Sequence, residues 1–149
     1  SRQDEEKVLS SRSKFTNFRI NKVMEKNNNH ILIKVTPNFI EKNSMIEFNK
    51  YVFAYEVEIK NESLAPIQLI SRHWVIQNSK FEKFEVKGEG VIGEQPTIAP
   101  GEVYNYSSFT EISTPTGFMW GSYQMLTESE ISFDVEIPKF KLDMPRTLH

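Results

Sequence analysis

The chain has 149 residues, 38% of them hydrophobic and 26% charged, which is the balance of one globular domain with a single core rather than of a disordered chain. A formal charge of -2 and a pI near 6.0 give no basic footprint for sequence-independent nucleic-acid binding, and no apolar run approaches the roughly 20 residues of a membrane-spanning helix. The absence of cysteine excludes a disulfide framework, a thiolate nucleophile and any zinc site built on cysteine sulfur, while leaving the compartment open.

Residues 1–29 read as a polar N-terminal arm, expected to be disordered in part. Its apolar positions Phe15, Phe18, Ile20, Val23 and Met24 fit neither a helical nor a strand spacing, so no element is assigned there. Val8-Leu9 followed by Ser10-Ser11-Arg12-Ser13 is too short for the apolar region of a secretory signal, and a cytoplasmic location is expected. From His30 onward the period is two, the mark of strands with one buried and one wet face. Candidate strands are His30–Thr36, Tyr51–Lys60, Ile67–Gln77, Phe81–Lys87, Glu102–Ser108, Phe118–Thr127 and Ile131–Ile137. In the second, Tyr51, Phe53, Tyr55, Val57 and Ile59 share the core face. In the last, Ile131, Phe133, Val135 and Ile137 form a wholly apolar face. Turn signals at Asn61-Glu62-Ser63, Ala99-Pro100-Gly101 and Thr114-Pro115-Thr116-Gly117 separate these runs, with no helical pattern between them. The fold class is therefore all-β: an immunoglobulin-like or fibronectin-III-like antiparallel β-sandwich of about seven or more strands over residues 30–149, with Trp74 buried.

Gly88-Glu89-Gly90-Val91-Ile92-Gly93 has the spacing of a dinucleotide-binding loop, but that loop must open a helix, and Pro96 and Pro100 follow too soon for one. Consecutive amides in a glycine loop can also hold an anion without a helix. Here Glu85, Glu89 and Glu94 outnumber Lys83 and Lys87, so a phosphate would need a metal ion to screen the carboxylates. Structural glycines in a loop crossing the end of the sandwich are the simpler reading. In Ser71-Arg72-His73-Trp74 a strand puts Ser71 and His73 on one face, yet neither an orienting acid nor an oxyanion hole is marked, and no catalytic residue is assigned. Arg72 is expected to pair with a loop carboxylate. His30, His73 and His149 lack metal-ligand spacing, and no metal ligand is assigned. Phe109, Phe118, Trp120 and Tyr123 are expected to serve mainly as core, with an exposed patch for a partner as the alternative.

Several blocks are more particular than a generic sandwich requires. These are Gly88-Glu89-Gly90-Val91-Ile92-Gly93-Glu94-Gln95-Pro96 with Pro100-Gly101, the Tyr104-Asn105-Tyr106 strand, Ser71-Arg72-His73-Trp74, Thr114-Pro115-Thr116-Gly117-Phe118-Met119-Trp120-Gly121, and the close Phe133 to Pro145. Together they resemble the ApaG family from about Ile31 to the C-terminus, leaving only the arm outside; Ile92 stands where the family commonly has valine. The resemblance implies a fibronectin-III-like sandwich. Bacterial members are linked to cobalt resistance and magnesium efflux, with the glycine block proposed to bind pyrophosphate. Similar eukaryotic domains, in F-box proteins and in a DNA-polymerase-delta-interacting protein, serve protein interaction.

The expected function is a non-catalytic binding module that meets a protein partner, a second copy of the chain among the alternatives, through the glycine loop and adjacent aromatic turns. Its candidate residues are Gly88, Gly90, Gly93, Glu94, Gln95 and Arg72. The competing reading is a phosphate- or pyrophosphate-binding domain acting with a divalent cation. No cofactor is expected, magnesium or cobalt entering only with that alternative, and nucleic acid is not expected as a partner.

Overall fold

The structure, a computed structural model, describes residues 24–28 and 30–146. Its strands in chain order are β1 Met24–Asn28, β2 Ile31–Phe39, β3 Tyr51–Asn61, β4 Ile67–Asn78, β5 Lys83–Glu89, β6 Thr97–Ile98, β7 Val103–Ile112, β8 Thr116–Thr127 and β9 Ser132–Asp143. Two single-turn 3-10 helices, Glu41–Asn43 and Ile46–Phe48, fill the β2–β3 connection, and no α-helix occurs among the described residues. One sheet runs β1-β2-β3-β7 and the other β5-β4-β8-β9, with β6 pairing with the start of β4. Every pairing is antiparallel, so the chain is the expected β-sandwich. The first sheet begins at Met24, inside the stretch read from sequence as an arm. Phe15, Phe18, Ile20, Val23 and His149 lie outside the described residues.

Alternation builds the core directly in β3, where Tyr51, Phe53, Tyr55, Val57 and Ile59 are buried and Glu56 and Glu58 exposed. Parity breaks in two strands of the other sheet. In β4 the buried positions are Ile67 and Leu69, then Trp74 and Ile76, because the register against β8 slips between Leu69 and Ser71 and makes Ile70 an inserted residue. In β9 they are Val135 and Ile137, then Pro138 at the bulge, then Phe140 and Leu142, because Pro138 and Lys139 together oppose Trp120. One extra residue turns every later side chain to the other face, and these bulges restore the apolar set to the core.

The β9 bulge corrects the sequence reading, which ended this strand before Pro138. A proline sits without conflict at a bulge, and the strand runs on to Asp143. The apolar face expected to start at Ile131 does not: Ile131 is exposed, drawn into the β8–β9 turn by its N–H donating to Thr127 Oγ1 at 3.0 Å. Likewise β5 begins at Lys83 rather than Phe81, since the buried Asn78 side chain accepts from the Lys80 and Glu82 amides and holds a turn in which Phe81 has φ +66°.

The sheets meet on an aromatic cluster. Trp74 packs edge-on against Tyr55 (5.2 Å between centroids), Phe140 (5.9 Å) and Tyr123 (6.3 Å). The Tyr106 hydroxyl, from the opposite sheet, is hydrogen-bonded to that of buried Tyr123. Burial drives both phenols above the ordinary value of 10.0, and for Tyr123 the neighbouring Tyr106 pushes the same way. A raised folded pKa means that this contribution to stability is complete below the unfolded value near 10.0 and is lost as the pH climbs beyond it toward the folded values. In an alkaline titration the tyrosinate absorbance of these two residues should appear only with loss of the folded signal; a Tyr106→Phe/Tyr123→Phe chain should show that late phase reduced, with Tyr55, which burial also raises, still contributing.

Candidate functional site

The glycine block is an excursion from one interrupted edge strand. β5 pairs with β4 down to Glu89 opposite Ser71, and the Gly90 N–H continues the ladder to the Ile70 carbonyl at 2.7 Å. The ladder resumes on the same edge with the Leu69 N–H donating to the Pro96 carbonyl at 2.9 Å, then with β6. Residues 91–95 are looped out between these two points. Their base is closed by the Val91 and Glu94 amides, which donate to each other's carbonyls at 2.8 and 3.0 Å. At the tip Ile92 has φ +43° and Gly93 φ +79°, the both-positive pattern of a type I′ hairpin turn. Gly90, at φ +63°, lets the chain leave the sheet, and a Cβ there would overlap the Glu94 carbonyl oxygen.

Side chains fasten this loop from several sides. Arg72 Nη1 donates to the Gly90 carbonyl at 2.8 Å and to that of Glu89 at 3.2 Å, with its guanidinium laid where a Gly88 side chain would stand. Its expected carboxylate partner is thus replaced by carbonyls, because Arg72 lies on the inner face of β4, under the loop backbone and away from the exposed acids. Gln95 Nε2 donates to the Ile70 carbonyl at 2.8 Å, and Gln68 Nε2 to the Gln95 carbonyl at 3.2 Å. From β7 of the other sheet, the Tyr104 hydroxyl donates to Glu94 Oε2 at 2.9 Å. Partial burial, reinforced by the Glu94 carboxylate, raises the Tyr104 pKa.

All six residues singled out from sequence therefore meet at this loop. Sequence did not point to the Ile70 insertion, to Gln68 or to Tyr104; the X-Gly pair Ile92-Gly93 between Val91 and Glu94 was the available hairpin signal. The amides of Gly90, Val91 and Glu94 are committed within the protein and so are not open to an anion, and Glu89 and Glu94 in the same stretch are exposed acids. Among the described residues no three His, Asp or Glu side chains gather as a metal-binding group.

Ser71 and His73 do face the same side, but Ser71 Oγ donates to Gln124 Oε1 at 2.8 Å while His73 Nε2 meets Glu85 at 3.1 Å. The four aromatics do not form one patch beside the loop. Tyr123 is buried in the core, Phe109 is exposed on the outer face of β7, and Phe118 and Trp120 lie on the outer face of β8.

A family model for the ApaG domain, DUF525, matches residues 41–127. Protein ApaG of Aromatoleum aromaticum is 49% identical over 119 residues, covering 80% of this chain and 94% of its own length. Protein ApaG of Escherichia coli O1:K1 is 45% identical over 123 residues, covering 83% of this chain and 98% of its own length. A Bordetella pertussis crystal structure carrying the designation ApaA superposes with a TM-score of 0.76 at 44% identity, covering 78% of this chain and 95% of that one.

The two positive-φ glycines separate by substitution. Gly93 has open space around its Cβ position, so Gly93→Ala should cost only the left-handed penalty of about 1–2 kcal/mol. Gly90→Ala adds a backbone overlap costing about a further 1–3 kcal/mol and should have the lower urea midpoint of the two. Neither midpoint, nor that of the wild type, should move on adding pyrophosphate.

Proposed function

The chain belongs to the ApaG domain family, and on that footing we propose that it is a non-catalytic module that binds a protein partner through the tip of the glycine loop. One observation carries this reading. Ile92, a β-branched residue, is held at φ +43° and leaves its apolar side chain 60% exposed. A β-branched side chain in the left-handed region costs about 1–2 kcal/mol, and an asparagine or glycine would occupy the position without that strain. Strain of this kind gathers at binding and catalytic positions, where the side chain's use outweighs its cost to the fold. The surroundings suit presentation rather than chemistry: Val91 is anchored in the core, Arg72 and Gln95 hold the loop's base, and the tip projects a rigid apolar knob.

Ile92→Asn converts the tip to an Asn-Gly turn. It should raise stability by up to about 1 kcal/mol while removing the contact. In affinity capture from an extract of the native cell, protein retained by the wild type should be lost with this more stable variant, with or without pyrophosphate and magnesium. Equal retention by the two chains would refute the reading.

A further inference from the structure

Each sheet ends in a strand whose outer edge is unpaired among the described residues, β7 in one and β5 in the other. The two edges share one side of the sandwich. β9 packs against β1 and β2 on the opposite side, and Tyr104 of β7 bonds Glu94 in the loop that follows β5. Phe84 and Val86 of β5 stand opposite Ile76 and Trp74 and so face inward, yet they are 53% and 43% exposed, because β7 is the last strand of its sheet and leaves them uncovered.

Successive residues of a strand turn their N–H and C=O groups to alternate sides. Since the Gly90 N–H donates to the Ile70 carbonyl at 2.7 Å, the even residues of β5 serve β4, and Lys83, Glu85, Lys87 and Glu89 turn theirs to the free edge. The Asn61 N–H donates to the Glu102 carbonyl at 3.0 Å, which in the same way leaves Val103, Asn105, Ser107, Phe109 and Glu111 facing outward from β7. Both edges are complementary to themselves. Antiparallel pairing of β5 with another β5 about a two-fold axis at Val86 sets Lys83 opposite Glu89 and Glu85 opposite Lys87, each contact made twice. An axis at Glu85 or Lys87 would set like charges opposite one another, so the alternation of sign selects one register. On β7 an axis at Tyr106 pairs exposed Val103 with exposed Phe109, and Asn105 with Ser107, with Glu111 left opposite Gly101. The two axes lie at one level: Val86 pairs with Trp74, whose ring is 6.3 Å from that of Tyr123, itself 6.5 Å from Tyr106. The opposite side of the sandwich offers no such match, for β9 is bent by its bulge at Pro138, a device that discourages edge pairing.

We propose that the chain forms a two-fold dimer through this side, β5 pairing with β5 and β7 with β7 of a second copy. Each sheet then runs on across the axis, and Phe84 and Val86 are enclosed between the two continuous sheets. Val86 meets its own counterpart, and Phe84 lies opposite Gly88, which leaves room for the ring. An unrelated extended segment could add to either edge alone, whereas a copy of the same sequence matches the charges of one edge and the apolar residues of the other at once. This contact goes beyond the loop reading, and Ile92 and Gly93 belong to neither ladder.

The test is sedimentation velocity of the full chain over a range of concentrations, where the wild type should be a dimer whose melting temperature rises with concentration. Lys87→Glu and Glu85→Lys each set two like-charged pairs across the axis and should each weaken association about tenfold or more while the chain stays folded. Mixed in equal amounts, these two variants should associate again, since a dimer of one with the other pairs unlike charges. Ser107→Pro removes an amide on the free edge of β7 and no bond to β3, and it should weaken the dimer as well. A wild type that remains monomeric up to about 1 mM, an affinity unaltered in Lys87→Glu or Ser107→Pro, or a mixture no tighter than its separate variants would each overturn the proposal.

Discussion

The outer edge of β4 is where the structure is decided. A strand edge carries amides and carbonyls that must find partners, and in this chain one edge is served by two separate strands, β5 and β6, with a loop between them. The Ile70 carbonyl at the junction accepts from both the Gly90 amide and the Gln95 side chain, and it belongs to the residue that shifts the β4 register. The same insertion that returns Trp74 and Ile76 to the core therefore sets where the edge is interrupted and how the interruption is closed. The loop's conformation, its anchoring by Arg72 and the exposure of Ile92 all descend from that junction.

Much of this was legible in the sequence, for a physical reason. Strict alternation, as in β3, tells which face is buried because the pleat leaves no other arrangement, and the proline-rich continuation after Gly93 ruled out a helix on backbone grounds. What stayed hidden were the places where alternation fails. A bulge conserves composition and moves parity, so Pro138 read as the end of a strand when it is the bend within one, and Ile131 read as core when it lies in a turn. At the loop, residue types identified Arg72 and Gln95 as interesting. That both bind carbonyls depended on Ile70 and on the inner-face position of Arg72, which a linear pattern does not carry.

Two surfaces emerge with opposite physical characters. The loop tip is a single apolar side chain held in an unfavourable backbone conformation by a network underneath it; its rigidity comes from hydrogen bonds to main chain. The free edges of β5 and β7 are broad and gather their character from the backbone groups they leave unpaired and from side chains that alternate along them.

The interrupted edge strand also has a meaning for how such a domain diversifies. Because the chain on either side of the loop is paired to β4, and Val91 and Gln95 anchor its base, the tip at Ile92 and Gly93 is free of the sheet's register. The fold thus contains a cassette: a position where sequence can be exchanged or lengthened at little cost in loop closure, while the ends remain fixed a few ångströms apart. Change at the tip leaves every strand in place.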